Sequence, residues 1–332
     1  MRLLVLGGTD FVGRAVAEEA VARGWRVTLF NRGTRQPPAG AQVRTGDRDA
    51  EAELAALESG AWDAVVDTWT GAPRAVRDAA RLLAGRVGHY AYISSGSVYA
   101  WPSAAGSDEG APLVAASADA GATEYAQDKR GGELAAEEVF GERALFVRAG
   151  LILGPYENIG RLPWWLRRIA QGGGPVLAPG PYGLELQYID ARDLASWTLD
   201  AAERGLGGPY NMVSPPGHTT MGELLDLCVQ VTGSGAELRW IEPERILAAG
   251  LEPWTQLPIW LPPGELHAAI HQTDVSKALA AGLRCRPVAE TVSDTWAWLC
   301  RNPGWEPHRS GLPPVGLPPE AEARVLGWPR AR

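Results

Sequence analysis

Apolar residues fall in short runs along the first half of the chain, and between the runs they recur at every third or fourth position. The first run, residues 2–7, ends in glycine. The stretch 11–23 that follows sets Val12, Ala15, Val16 and Ala20 at helical spacing. The same reading predicts strands over 25–30, 41–45, 62–68, 89–94 and 143–149, and helices over 51–58, 72–84 and 124–140. Strands this apolar are buried only in a sheet covered on both faces, and strand–helix alternation builds that sheet from right-handed parallel units. The expected fold is α/β, a Rossmann-like doubly wound parallel sheet with a smaller C-terminal substrate domain.

Beyond about residue 155 proline, glycine and tryptophan rise and the periodicity loosens. Helices are expected over 162–171, 190–203, 221–231, 273–281 and 290–301, with Asp190 and Thr219 as N-caps, and strands over 184–189 and 209–213. The predicted organisation is a dinucleotide-binding domain over 1–155, to which later segments return, and a mainly substrate-binding part over 156–302. A proline-rich tail follows over 303–332, with a short docking helix at 320–326.

Composition narrows the class. The chain has 332 residues, 45% of them hydrophobic and 21% charged, enough to bury a core without disulfides or metal. Cys228, Cys285 and Cys300 have no zinc or redox-pair spacing and read as free thiols of a reducing compartment. The net charge of -8 speaks against a nucleic-acid partner. Only Leu3 to Leu6 precede the first glycines, too short a run for an export signal, and no run approaches a membrane span, so the expected location is the cytoplasm. His267 and His271 stand four apart but have no third ligand in view. They read as a solvated or cleft-rim pair, and no metal is expected.

The chemistry sits at the strand ends. Gly7-Gly8-Thr9-Asp10-Phe11-Val12-Gly13 follows the first strand and opens the first helix, the context in which glycines let a pyrophosphate approach a helix N-terminus. Gly7, Gly8, Thr9, Phe11, Val12 and Gly13 are the expected contacts. After the second strand stand Asn31 and Arg32 rather than an acid, which suits the 2′-phosphate of NADP better than the free ribose of NAD, the alternative cofactor. Asp47 and Arg48 after the third strand, and Trp69 after the fourth, complete the expected cofactor contacts.

Ser95, Tyr125 and Lys129 form the expected catalytic set. Ser95 ends the fifth strand, and a spacing of four puts Tyr125 and Lys129 on one helix face. A phenol is a poor base at neutral pH unless a nearby cation favours its phenolate; with one, it can exchange a proton with a substrate oxygen while hydride moves. Of 31 basic residues only Lys129 and Lys277 are lysine, so one of the two stands where this chemistry asks for it. Ser97, Trp101, Leu151, Trp164 and Trp165 are expected to touch the substrate, the indoles as an aromatic wall. Lys277 reads as an ordinary helix charge.

With these motifs the chain resembles the extended short-chain dehydrogenase/reductases of the NAD-dependent epimerase/dehydratase family. The resemblance rests on the glycine loop, Gly46-Asp47, the SSGSVY segment from Ser94 to Tyr99, Tyr125 to Lys129 with Glu133, and RAGLILGP from Arg148 to Pro155. It continues in QYIDARDL from Gln187, in Tyr210-Asn211 and in DVSKA from Asp274. It implies a Rossmann domain, a C-terminal substrate domain and the Ser/Tyr/Lys roles just given. Two positions depart from the family pattern. Asp10 replaces the middle glycine of the loop. Leu151 stands where nucleotide-sugar members carry an asparagine that contacts the substrate's phosphates, which leaves room for a small aromatic or apolar substrate. The leading expectation is therefore an NAD(P)-dependent oxidoreductase acting on a small carbonyl or alcohol. Its alternatives are an NAD-dependent sugar epimerase/dehydratase and, from another class, a non-catalytic nucleotide-sensing or RNA-binding relative. The oligomeric state is left open, a homodimer included.

Overall fold

The computed structural model describes residues 1–309, 311 and 313–327. They form two compact units. The first comprises Met1–Gly150, Ala191–Val213 and Asp274–Arg284; the second comprises Leu151–Asp190, Ser214–Thr273 and the chain from Cys285 on. The first break falls at Gly150 rather than at 155. Two later segments return to the first unit.

The first unit is built on a seven-stranded sheet. Its strands are β1 (Arg2–Leu6), β2 (Arg26–Asn31), β3 (Gln42–Thr45), β4 (Trp62–Asp67), β5 (Val87–Ser95), β6 (Ala144–Ala149) and β7 (Gly208–Met212). They lie in the order β7-β6-β5-β4-β1-β2-β3 and every pairing is parallel. Its longer helices are α1 (Phe11–Ala22), α2 (Pro73–Leu83), α3 (Tyr125–Phe140) and α4 (Ala191–Glu203), with α1 packed on α4 and α2 on α3. Leu4 and Leu6 of β1 join a cluster with Val76 and Ala79 of α2 and Ala135 and Phe140 of α3. The alternate Leu3 and Val5 are equally buried, as a sheet covered on both faces requires. Because β1 lies between β4 and β2, the strand order reverses beside it. The carboxyl ends of the strands at such a reversal are the place where this class of sheet binds ligands.

The second unit is organised around aromatic side chains. Helices Arg161–Gln171, Met221–Thr232 and Val288–Arg301 pack together, and a parallel pair, Val176–Pro179 with Leu238–Ile241, completes the core. Trp165 and Trp260 are fully buried, and each satisfies its indole N–H on a backbone carbonyl, Pro258 O at 2.8 Å and Gly180 O at 2.9 Å. The stretch read as a proline-rich tail carries the helix Pro319–Leu326, whose Glu322 accepts from Arg168 at 2.7 Å and from the Leu177 N–H at 2.9 Å. Ser310, Leu312 and residues 328–332 of that stretch lie outside the described residues. Among the described residues no helix is long and apolar enough to cross a membrane.

Three expectations change here. The single strand expected over 184–189 is two short ones, Glu185–Leu186 and Ile189–Asp190. Gln187 separates them: its main-chain N–H goes to His271 Nδ1 rather than to a neighbouring strand, while its side-chain amide bonds Ser214 O, Thr273 O and the Thr273 N–H. The N-cap of Met221–Thr232 is Thr220, which accepts the Glu223 N–H, while Thr219 donates to the Glu223 carboxylate. His267 and His271 are buried, not solvated: His267 Nε2 lies 2.8 Å from Glu185 O, and His271 Nδ1 accepts the Gln187 N–H at 3.1 Å. Among the described residues no group of three or more metal-ligating side chains gathers.

Burial, with the neighbouring His267, pushes His271 down to about 3, far below an ordinary imidazole. As pH falls below ~6.5 the unfolded chain takes up this proton and the folded chain does not. The stabilisation is therefore complete above ~6.5 and is lost progressively toward about 3. A loss on the order of 2 kcal/mol by pH 5 is expected from this one group. Urea midpoints measured across that range should fall, and fall less steeply in His271→Gln.

Candidate active site

The glycine loop is shaped by close approach. Gly7 and Gly8 lie at φ +119° and +88°, and a Cβ on Gly13 would come within 2.7 Å of the Gly8 backbone nitrogen, which cannot yield. The loop thus packs so closely on Thr68, Leu29 and the first turn of α1 that only glycine fits at these three positions. Thr9 is half-buried, and the Phe11 and Val12 side chains are buried. The Asp10 carboxylate lies 3.7 Å from the Arg35 guanidinium.

After β2, Asn31 ties the next turn to this loop: its Oδ1 accepts the Gly33 N–H at 2.8 Å and its Nδ2 lies 3.4 Å from Gly7 O. Arg32 is exposed. Asp47 Oδ1 accepts the Asp49 N–H, and its own N–H goes to Glu53. Arg48 departs from its expected role. It is buried and holds Asp67 of β4 with both terminal nitrogens, so its charge faces a protein carboxylate and not a cofactor phosphate. Burial alone would lower its pKa, but Asp67 more than offsets that and holds it above the usual guanidinium value. Asp67 also accepts from Tyr90 Oη at 2.6 Å and from the Trp69 N–H at 2.9 Å. Burial first, and then Asp67, pushes the Tyr90 phenol well up.

Trp69 is half-buried, its indole N–H on Ala72 O at 3.0 Å and its ring 5.1 Å from the Arg48 guanidinium. Its carbonyl accepts the Lys129 ammonium, which also donates to Ile93 O at 2.7 Å and lies 4.8 Å over the Tyr92 ring. Lys129 is only 2% exposed, whereas Tyr125, one turn earlier at the start of α3, is 39% exposed. Ser95, two residues beyond Ile93, accepts the Ser97 N–H and donates to Ser97 Oγ, both at 3.1 Å. Glycines let α3 come this near: a Cβ on Gly132 would stand 2.5 Å from Tyr92 Oη, and one on Gly131 2.6 Å from Ser117 O.

Behind the serine turn lies a buried ionic network. Ser94 donates to Glu133 at 2.7 Å, and Arg148 grips the same carboxylate with two nitrogens at 2.9 and 3.0 Å. Arg148 also donates to Tyr99 Oη at 3.1 Å, and Tyr99 donates to Asn211 at 2.6 Å. In the sequence Glu133, Arg148 and Asn211 stood out only as motif letters. Asp67 did not stand out at all, although an acid closing an apolar strand was a signal available to be read.

The expected substrate residues divide. Ser97 and Trp101 belong to the first unit, and Trp101 is exposed. Leu151 and Trp165 are corrected: both side chains are spent on the core of the second unit and cannot form a wall against a ligand. Trp164, half-buried, lines a cavity of about 390 Å³ with Trp305, Arg167 and Asn158 in that unit. Lys277 is more than a helix charge, for it donates to Pro209 O at 2.6 Å and sits 4.2 Å over Tyr210.

The chain belongs to the NAD dependent epimerase/dehydratase family, whose model matches residues 3–212. Membership places it among NAD-dependent enzymes. No curated protein matches it. Solved structures share the fold at low identity. The Bordetella bronchiseptica enzyme WbmH, in complex with NAD+, is 17% identical over 90% of this chain and 98% of its own, with a TM-score of 0.66. UDP-glucose 4-epimerase of Thermotoga maritima, with UDP-glucose, is 16% identical over 91% and 99%, at 0.63. UDP-N-acetylglucosamine 4-epimerase of Bacillus cereus is 17% identical over 90% and 98%, at 0.65.

Removing one partner of a buried ion pair typically costs about 3–5 kcal/mol because the other charge stays behind. Glu133→Gln, which strands Arg148, should cost the first unit about that much. A urea midpoint close to that of the wild type would show that the Arg148 charge finds other partners.

Proposed function

We propose that the chain transfers hydride between a nicotinamide dinucleotide and a small alcohol or carbonyl, with Tyr125 as the acid/base. The supporting observation is the burial of Lys129. An ammonium taken out of water costs several kcal/mol unless it is held, and here two carbonyls hold it one helical turn from the half-exposed Tyr125.

The glycine loop at the start of α1 suits a dinucleotide pyrophosphate, with Asn31, Arg32 and Asp47 toward the adenosine and Trp69 and Lys129 toward the nicotinamide ribose. The bound nucleotide supplies the hydride acceptor or donor. Tyr125 Oη takes the proton from the substrate hydroxyl in one direction and returns it in the other. Ser95 Oγ, oriented by the Ser97 N–H, holds the same substrate oxygen. Lys129 supplies the fixed positive charge that favours the phenolate.

The family and the epimerase neighbours support a second outcome of the same steps, in which hydride returns to the substrate as in a sugar epimerase or dehydratase. Leu151 carries no donor, unlike the asparagine that nucleotide-sugar members use on the substrate's phosphates, which favours the simpler substrate. Purified protein that retains its nucleotide through gel filtration and interconverts a UDP-sugar without net redox would establish the epimerase. Free exchange of the nucleotide, with net consumption of NADPH, would establish the reductase.

Tyr125→Phe should leave dinucleotide affinity intact and lower turnover at least ~100-fold on any alcohol or carbonyl the wild type accepts. Near-normal kcat would remove Tyr125 from the chemistry. For the cofactor, Asn31 offers no acid to repel a 2′-phosphate, and the exposed Arg32 offers a cation. A charge-assisted bond of ~1.5–3 kcal/mol makes NADP bind roughly tenfold or more tighter than NAD, and Arg32→Ala should abolish most of that preference. Titration of both nucleotides decides it: equal or tighter NAD binding excludes a phosphate contact at Arg32.

A further inference from the structure

We infer that Asp67 is a positioning residue for Lys129, acting through the main chain of Trp69. The inference rests on the reading of Lys129 as part of the nucleotide site. Asp67 is fully buried at the carboxyl end of β4, where it touches no residue assigned to proton transfer. Its two oxygens accept four donors: both terminal nitrogens of Arg48, the Tyr90 hydroxyl and the Trp69 N–H. A charge at the end of an apolar strand is costly to bury, so its retention calls for a positional reason.

Trp69 provides that reason. Its N–H points to the buried anion, and its C=O accepts both the Lys129 ammonium and, at 3.2 Å, the Tyr92 hydroxyl. One residue is thus held at its amide by a carboxylate and presents its carbonyl to a cation. Its φ and ψ are set from both sides. Without Asp67 the carbonyl loses its fixed direction, while Ile93 O continues to accept the ammonium.

Arg48 extends the connection. It enters from the turn after β3, next to Asp47, and its Nη2 also donates to Ala75 O of α2 at 3.0 Å. One carboxylate therefore ties the turn at the adenosine end of the proposed nucleotide site to the lysine at its nicotinamide end. The Arg48 guanidinium, expected on a ligand, serves this internal joint.

A double-mutant cycle separates positioning from bulk stability. NADPH and NADH are titrated into the wild type, Asp67→Asn, Lys129→Met and the double variant, with circular dichroism to confirm the fold. Each single change should weaken the tighter-bound nucleotide by about tenfold, and the double variant by no more than the larger single change, a coupling of ~1.4 kcal/mol. Multiplying effects, near a hundredfold in the double variant, would overturn the inference, as would unchanged affinity in Asp67→Asn beside a weakened Lys129→Met. If Lys129→Met itself binds both nucleotides normally, the proposed nucleotide site fails, and the inference with it. Should Asp67→Asn not fold, Tyr90→Phe replaces it, since that change removes one donor and keeps the Arg48 ion pair. A roughly threefold loss that does not multiply with Lys129→Met supports the inference, and unchanged or multiplying affinity overturns it.

Discussion

The first unit depends on one buried ammonium. Lys129 reaches from α3 to carbonyls on two neighbouring segments of the sheet, Trp69 after β4 and Ile93 within β5. A charge placed there must be fully partnered, so this one contact registers helix and sheet to each other. The close packing of α3 follows from it: Gly131 and Gly132 stand where any side chain would meet Ser117 O or the Tyr92 ring. Tyr125, on the exposed turn of this pinned helix, inherits a defined place without being buried itself.

Two ionic clusters support this arrangement from beneath. Arg48 with Asp67 braces the loop that carries Trp69; Arg148 with Glu133 braces the strand end that carries Ser94 and Ser95. Buried ion pairs are poor sources of net stability, because desolvation consumes most of the Coulomb gain, but they tolerate few alternative geometries. Each sits directly behind a residue assigned to nucleotide or substrate. This placement favours a role in orientation over one in stability.

The second unit solves a different problem. It has little regular sheet, so its core relies on large indoles whose N–H groups find backbone acceptors, and on buried polar groups that replace missing ladder bonds. Glu157 is one of these. Burial pushes it up to about 7, although the N–H groups of Arg161 and Leu162 at the start of their helix work in the opposite direction. Gln187 and His271 do comparable work between the two short strands.

The sequence alone determined the βαβ unit, the strand–glycine–helix junction, Ser95 and Tyr125 at the ends of their elements, and Lys129 one turn into its helix. Each of these follows from local periodicity, or from residue types that few other contexts require. Most helices came within a few residues of their observed bounds for the same reason. The tertiary structure alone decided what each charge and each large ring faces. Arg48 turned to Asp67, Trp165 and Leu151 went into a core, and His267 and His271 were buried, because partners distant in sequence compete for the same group. No local pattern records that competition. Asp67 shows the limit well: in sequence it is one acid closing an apolar strand, and only the folded chain reveals the guanidinium, the phenol and the backbone amide that surround it.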